Sequence, residues 1–253
     1  MNVVQLLKPI PNLKIIVLEN PYAAWTVPSV PDLFKYTVEL KRLGYEGYYP
    51  VGFLPVDTLD LVATHLLICE ETDEGFIPIA GYRSITESLC RFHHLTFPPV
   101  AALMKNKGVE LHQQALNEIL NESALKRENL SYGGAWTIHP RIKEDRAKVN
   151  LMKDIARALM FFHQTEFKVD SELGFASTKV KTDVYFSELG YESVSLDGNT
   201  LPPFEHVEIG TLILIHRKKF TSLAEEAAKR HQNLWESKLH FYTSPAFPKK
   251  KVA

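Results

Sequence analysis

Tyr185-Phe186-Ser187-Glu188-Leu189-Gly190-Tyr191-Glu192 is the stretch on which the fold turns. An aromatic pair sits in a helical turn, Leu189 closes the turn, and Gly190 follows as a stop. Glycine suits that place because a positive φ there meets no Cβ. A second aromatic then opens an extended run. Residues 183–189 therefore read as a short helix and residues 191–196 as the strand it feeds.

Working outward, residues 207–216 read as a further strand, reached through the turn-rich segment 197–203, and residues 222–235 as a closing helix. The Pro- and Lys-rich tail after Lys238 reads as frayed. On the other side, residues 167–178 are weakly strand-like. Before them Val149, Met152, Ile155, Leu159 and Phe162 recur at helical spacing. That helix follows a basic segment with Arg141, Lys143, Arg146 and Lys148, in which Asp145 is placed as N-cap. Residues 132–138 read as a strand that stops at His139-Pro140.

Further upstream, two apolar runs at 61–70 and 76–85 flank a polar, Gly-containing turn and predict a β-hairpin. Residues 109–127 predict an amphipathic helix with Leu111, Ala115, Ile119 and Leu120 on one face. Residues 86–107, around Pro98-Pro99, read as irregular. Residues 13–18 read as a short strand. Pro31-Asp32 starts a helix, with Asp32 near the N-cap and Gly44 as its stop, and residues 45–55 read as a loop.

Composition narrows the function classes. The 253 residues carry a formal net charge of −1, so no global field draws nucleic acid or an anionic membrane. Two cysteines, Cys69 and Cys90, exclude a disulfide framework and fit a reducing compartment. Residues 1–11 do not read as a signal peptide, and no run approaches the roughly 20 apolar residues of a membrane span. A cytoplasmic protein is expected. G-x-S-x-G, P-loop and H-E-x-x-H motifs are lacking, which leaves hydrolase, NTPase and zincin readings unsupported. Cys90, His93 and His94 fall short of the four ligands of a structural zinc site, so no metal is expected. Lys218-Lys219, Lys229-Arg230 and Lys249-Lys250-Lys251 read as solvated charge.

Three segments carry a resemblance. Ile79-Ala80-Gly81-Tyr82-Arg83 resembles the I-V-G-[FY] strand of the GNAT N-acyltransferase superfamily. Trp136-Thr137-Ile138-His139-Pro140, with the basic loop and helix after it, resembles that superfamily's strand–loop–helix. The stretch from Tyr185 to Glu192 resembles its F-Y-x-K-L-G-F element. A fainter likeness, resting on Gly81-Tyr82-Arg83 and Phe97-Pro98-Pro99, points to the autoinducer-synthase and N-acyl amino acid synthase branch. The resemblance spans about residues 60–216 of a single domain over 1–253, with 1–59 an N-terminal extension and 217–253 a C-terminal helix and tail. It implies an α/β (α+β) fold with a central mixed, mostly antiparallel sheet flanked by helices.

The resemblance also implies a reaction: an acyl group, acetyl in the first instance, passes from a coenzyme A thioester to a small-molecule amine or amino-acid acceptor by direct attack. Ile138 and His139 would lie beside the thioester carbonyl. Arg141, Lys143, Arg146, Ala147, Lys148 and Val149 would hold the diphosphate where the loop enters the helix, since a helix N-terminus offers unpaired N–H donors and partial positive charge. Tyr185 is the candidate general acid and His139 the candidate base. A homodimer is an allowed assembly. The sequence departs from the pattern in two places. Residues 140–162 contain no glycine, so direct contacts from the four cations would replace close backbone approach. Phe186 stands where the family's tyrosine is expected, and the strand at 132–138 has no carboxylate. An acyl-carrier or long-chain donor, as in the synthase branch, and a non-catalytic GNAT-like binding module are the alternatives.

Overall fold

The computed structural model describes residues 12–48 and 56–242. Part of the expected 45–55 loop, the whole of residues 1–11 and the Lys249-Lys250-Lys251 cluster lie outside the described residues.

The hairpin forms as its pattern predicts. β2 (Thr64–Thr72) and β3 (Gly75–Thr86) pair antiparallel from Thr64↔Ser84 to Thr72↔Gly75. The first six residues of β2 are all buried, which requires cover on both faces of the sheet. β1 (Leu13–Glu19) pairs antiparallel with β2 and leads into α1 (Val30–Tyr45). After β3 come α2 (Glu87–Phe92), α3 (Pro98–Met104) and α4 (Glu110–Lys126). The chain then builds β4 (Leu130–Ile138), the one-turn α5 (Pro140–Lys143), α6 (Arg146–Glu166), β5 (Ser171–Ser177) and α7 (Thr182–Ser187). Four short strands follow, β6 (Glu192–Ser193), β7 (Ser195–Leu196), β8 (Asn199–Thr200) and β9 (Phe204–His206), and then the longer, interior β10 (Gly210–Arg217). α8 (Ser222–Glu236) and β11 (Leu239–Phe241) close the chain.

Among the described residues nine strands share one sheet in the order β11-β1-β2-β3-β4-β5-β10-β6, with β9 paired to β10; β7 and β8 form a separate hairpin. Only β11–β1 and β4–β5 are parallel, so the sheet is mixed and mostly antiparallel, as expected. α6 and α8 cover one face, where Met152, Ile155, Leu159 and Trp235 join Leu66 and Ile79 in one core. α3 and α4 cover the other, where Leu103, Ala115 and Leu116 meet Leu130 and Leu212.

Several expectations change. The cap of α1 is Ser29, with Asp32 in the first turn, and the helix runs through Gly44 instead of stopping there. A Cβ on Gly44 would lie 1.8 Å from Thr137 Oγ1, so this glycine lets α1 lie against β4. Residues 86–107 are not irregular throughout: Pro98 and Pro99 sit at the start of α3, where a missing N–H costs nothing. On α4, Ala115, Ile119 and Leu120 turn to the core as expected, together with His112 and Leu116, but Leu111 is 57% exposed. The expected strand at 207–216 begins only at Gly210, with Val207 exposed. The start of the tail does not fray, because β11 pairs with β1. Gly190, read as a helix stop, has φ +95°.

Candidate active site

The site is a gap in the sheet. β4 and β5 pair in register from Leu130↔Ser171 to Gly133↔Gly174, and the pairing ends there. Below this point a buried polar network ties the strands. Glu172 on β5 accepts from Ser131 Oγ on β4 at 2.9 Å and from Tyr191 OH, and Arg217 lies 3.5 Å from the same carboxylate. The glycine of β4 makes room for it: a Cβ on Gly133 would come within 2.6 Å of Glu172 Oε1. Above it, the β3–β4 register shifts between Gly81↔Thr137 and Arg83↔Gly134, which sets Ala135 and Trp136 opposite Tyr82 alone. Ala135 has φ +55°, outside the comfortable range for a residue with a Cβ. Such a bulge takes one residue's backbone out of the ladder and re-aims it, here into the gap.

Three cavities meet at this place. The middle one, of about 200 Å³, lies between Pro98, Ala102, Trp136, Phe175, Phe186 and Leu212. A second, of about 170 Å³, shares Tyr45, Trp136, Val180 and Thr182 with it and is bordered by Lys143, Lys153 and Lys181. A third, of about 250 Å³, shares Tyr132, Ala135 and His206 with the middle one and is rimmed by Asp57, Arg83, Lys105 and Glu208. One path thus runs from a cationic mouth, past the bulge, to a mouth carrying both signs of charge.

The residues expected at the site are distributed unevenly along this path. Ile138, Lys143 and Tyr185 border the cationic cavity. Lys143 Nζ donates to Gly44 O at 2.9 Å and lies 4.8 Å from the Tyr48 ring centroid; burial pulls its pKa below the usual lysine value. Tyr185 stacks on Trp136, with ring centroids 6.1 Å apart and planes 8° apart. Its hydroxyl is committed to Lys153 O at 3.1 Å, and burial holds its pKa well above 10, so the phenol keeps its proton but aims it at α6 instead of the gap.

His139 caps α5, with Nδ1 accepting from Arg141 N at 3.2 Å; it borders neither of the cavities beside Trp136, and burial lowers its pKa. Arg141 is held by Glu70. The N-terminus of α6 differs most from the expected phosphate cradle. Asp145 Oδ1 accepts from Ala147 N at 2.9 Å and Lys148 N at 3.3 Å, and Val149 N bonds to Asp145 O at 2.9 Å. Those donors are satisfied within the chain, and a carboxylate occupies the position expected for a phosphate. Arg146 lies exposed in the first turn of α6.

Other residues of the path carry weak sequence signals. Lys153 lies on the helix predicted from Val149 to Phe162, but one face among several is not marked by spacing. Lys181 has φ +56° at the head of α7. His206, 7% exposed, borders the middle and third cavities; its Nδ1 accepts from Glu208 N at 3.2 Å and burial lowers its pKa. A neutral imidazole pinned in this way carries its proton on Nε2. Behind the third cavity, Arg83 binds Asp57 at 2.6 Å and Asp60 at 2.9 Å, and Asp60 also holds the buried Lys41. Among the described residues no cluster of three or more His, Cys, Asp or Glu is placed to hold a metal. No helix among them is long and apolar enough to cross a membrane.

The same architecture recurs in solved N-acyltransferases. FeeM, an N-acyl amino acid synthase from uncultured soil microbes, superposes with TM-score 0.51 at 12% identity, covering 82% of this chain and 92% of its own. BjaI, a CoA-dependent acyl-homoserine lactone synthase solved with SAM and isopentyl-CoA, superposes with TM-score 0.54 at 12% identity, covering 92% of this chain and 95% of its own. The fold is GNAT-like. At such identity the likeness establishes the fold and not the reaction. No protein-family model and no curated protein sequence matches the chain.

Proposed function

We propose that the protein is an acyl-CoA-dependent N-acyltransferase that acylates a small amine of amino-acid type. The observation that carries this reading is the end of β4–β5 pairing after Gly133↔Gly174, with a cationic cavity on one side of Trp136 and an apolar one on the other. A pantetheine-like arm lying along the unpaired edges would meet backbone groups that lack strand partners. Lys143, Lys153 and Lys181 would hold the donor's phosphates as point charges, without the helix N-terminus that Asp145 caps.

At the gap the acceptor nitrogen attacks the thioester carbon. Negative charge develops on the carbonyl oxygen, where the displaced backbone at Ala135-Trp136 and the Nε2–H of His206 supply donors. The attacking nitrogen is the free amine, its ammonium proton having gone to water; the C–S bond then breaks, the coenzyme A thiolate takes a proton from water, and the nitrogen loses one. Glu208, at the rim of the third cavity, receives that proton, directly or through water. Lys105 and Glu208 on the same rim offer opposite charges to a zwitterionic acceptor. Cytoplasmic action, with acyl-CoA as co-substrate and no metal, belongs to the same proposal. The Asp145 cap favours a second reading, a GNAT-like binding module without turnover.

Calorimetric titration with octanoyl-CoA tests donor placement. The triple variant Lys143→Ala/Lys153→Ala/Lys181→Ala should bind at least about tenfold more weakly than wild type, the loss of about 1.4 kcal/mol or more. Equal affinity would remove the cationic cavity from the donor site.

A further inference from the structure

Resting on the acyl-transfer reading, we infer that the middle cavity is an acyl pocket for a medium chain of about six to eight carbons, and that Ala102 and Leu212 set its limit. No carboxylate, lysine or arginine lines it, in contrast to the cavity at either end of the path. A chain whose thioester lies at the Trp136 bulge, with its phosphates at the lysines, has this apolar space ahead of its carbonyl. The acceptor enters from the charged third cavity and meets the carbonyl beside His206.

Volume sets the length. An apolar cavity of roughly 150 Å³ takes a benzene ring of six carbons, so one of about 200 Å³ takes about eight. An acetyl group would leave most of it unfilled. Rings form one wall: Tyr132 and Phe175, which line the cavity, have centroids 6.0 Å apart, and Phe204 backs Phe175 at 5.8 Å. Leu212, 3% exposed, packs in the core behind the pocket, so the wall has no room to retreat. Ala102 stands on α3, and its small side chain leaves that flank open.

The test is a series of acetyl-, butyryl-, hexanoyl-, octanoyl-, dodecanoyl- and palmitoyl-CoA, with product formation measured for wild type and Ala102→Phe. Burial of each added methylene is worth about fourfold in affinity. Wild-type kcat/KM should therefore rise at least about 100-fold from acetyl to octanoyl and fall for dodecanoyl and palmitoyl. Ala102→Phe should move the optimum to butyryl or hexanoyl, with its fold checked by its thermal melt. An optimum at acetyl or at palmitoyl would overturn the length assignment and leave acyl transfer standing. Failure of every thioester to react, with octanoyl-CoA binding no tighter than coenzyme A, would overturn the acyl-transfer reading and the pocket assignment with it.

Discussion

Replacing Gly44 by alanine tests how closely α1 lies on β4. In an exposed helix interior this change stabilises, by about 0.8–1.0 kcal/mol, because alanine loses less backbone entropy. Here the new Cβ would stand 1.8 Å from Thr137 Oγ1, 3.1 Å from Thr137 Cβ and 3.4 Å from Ile138 O. Thr137 is β-branched, in a strand, and 6% exposed, so its hydroxyl has little freedom to swing away. Overpacking of this kind costs about 1–3 kcal/mol. The overlap places Gly44→Ala at the upper end, so the net loss after the helix gain is about 2 kcal/mol, or about 4–8 °C in Tm for a chain of this size. Thr137→Ala removes the offending oxygen, and the double variant should regain most of the loss. Urea unfolding of the two single variants and the double variant gives the coupling directly. A Gly44→Ala protein as stable as wild type, or more so, would refute the close approach. It would also remove the reason Tyr45 and Tyr48 stand over the gap.

Glu172→Ala leaves Arg217, 1% exposed, without its carboxylate partner and should cost about 3–5 kcal/mol in urea unfolding, with Glu172→Gln costing less; a loss below about 1 kcal/mol would contradict the network. Burial holds His65 and His163 near 4, against about 6.5 in the unfolded chain. Folded pKa values below the unfolded ones mean stability is full above pH 6.5 and is lost as pH falls toward 4. Each histidine should remove about 2 kcal/mol by pH 5, and an unchanged urea midpoint between pH 7 and pH 5 would contradict their burial as neutral rings. Asp145→Asn keeps an N-cap of equal rank and removes a charge at the head of α6. Stability should stay within about 0.5 kcal/mol and octanoyl-CoA affinity within about twofold, because the proposed phosphate ligands are Lys143, Lys153 and Lys181; binding tightened about fivefold or more would move the phosphates to this helix end.

Much of the fold is local information. The hairpin of β2 and β3 is visible as two apolar runs around a polar turn, and α6 as a repeat from Val149 to Phe162. Gly190 is identifiable because only a positive φ explains a glycine at the end of that short helix. What escapes the sequence is set by distant contacts. Gly44 looks like a helix stop until Thr137, on another element, is seen beside it. The edge strand β11 depends on β1, more than two hundred residues away in the chain. On α4, Ala115, Ile119 and Leu120 face the core as their spacing predicts and Leu111 does not, since it lies about 100° around the axis from the buried His112.

The same division holds at the site. Ile138, Lys143 and Tyr185 can be named from local motifs, because strand, basic loop and short helix are each recognisable. Lys153, Lys181 and His206 converge from α6, α7 and β9, which only the sheet order brings together. Asp145 fits an N-cap by its position, but that its carboxylate occupies two of the donors expected for phosphate follows from geometry alone.

The most direct test of acyl transfer is incubation of the protein with octanoyl-CoA and each common amino acid, following N-octanoyl product by mass and free coenzyme A thiol together. N-acyl transfer predicts product and thiol in a one-to-one ratio with at least one acceptor, both abolished without the amine. Thiol release without N-acyl product, or no reaction with any acceptor while octanoyl-CoA binds, would contradict catalysis at this gap and leave the GNAT-like fold as a binding module.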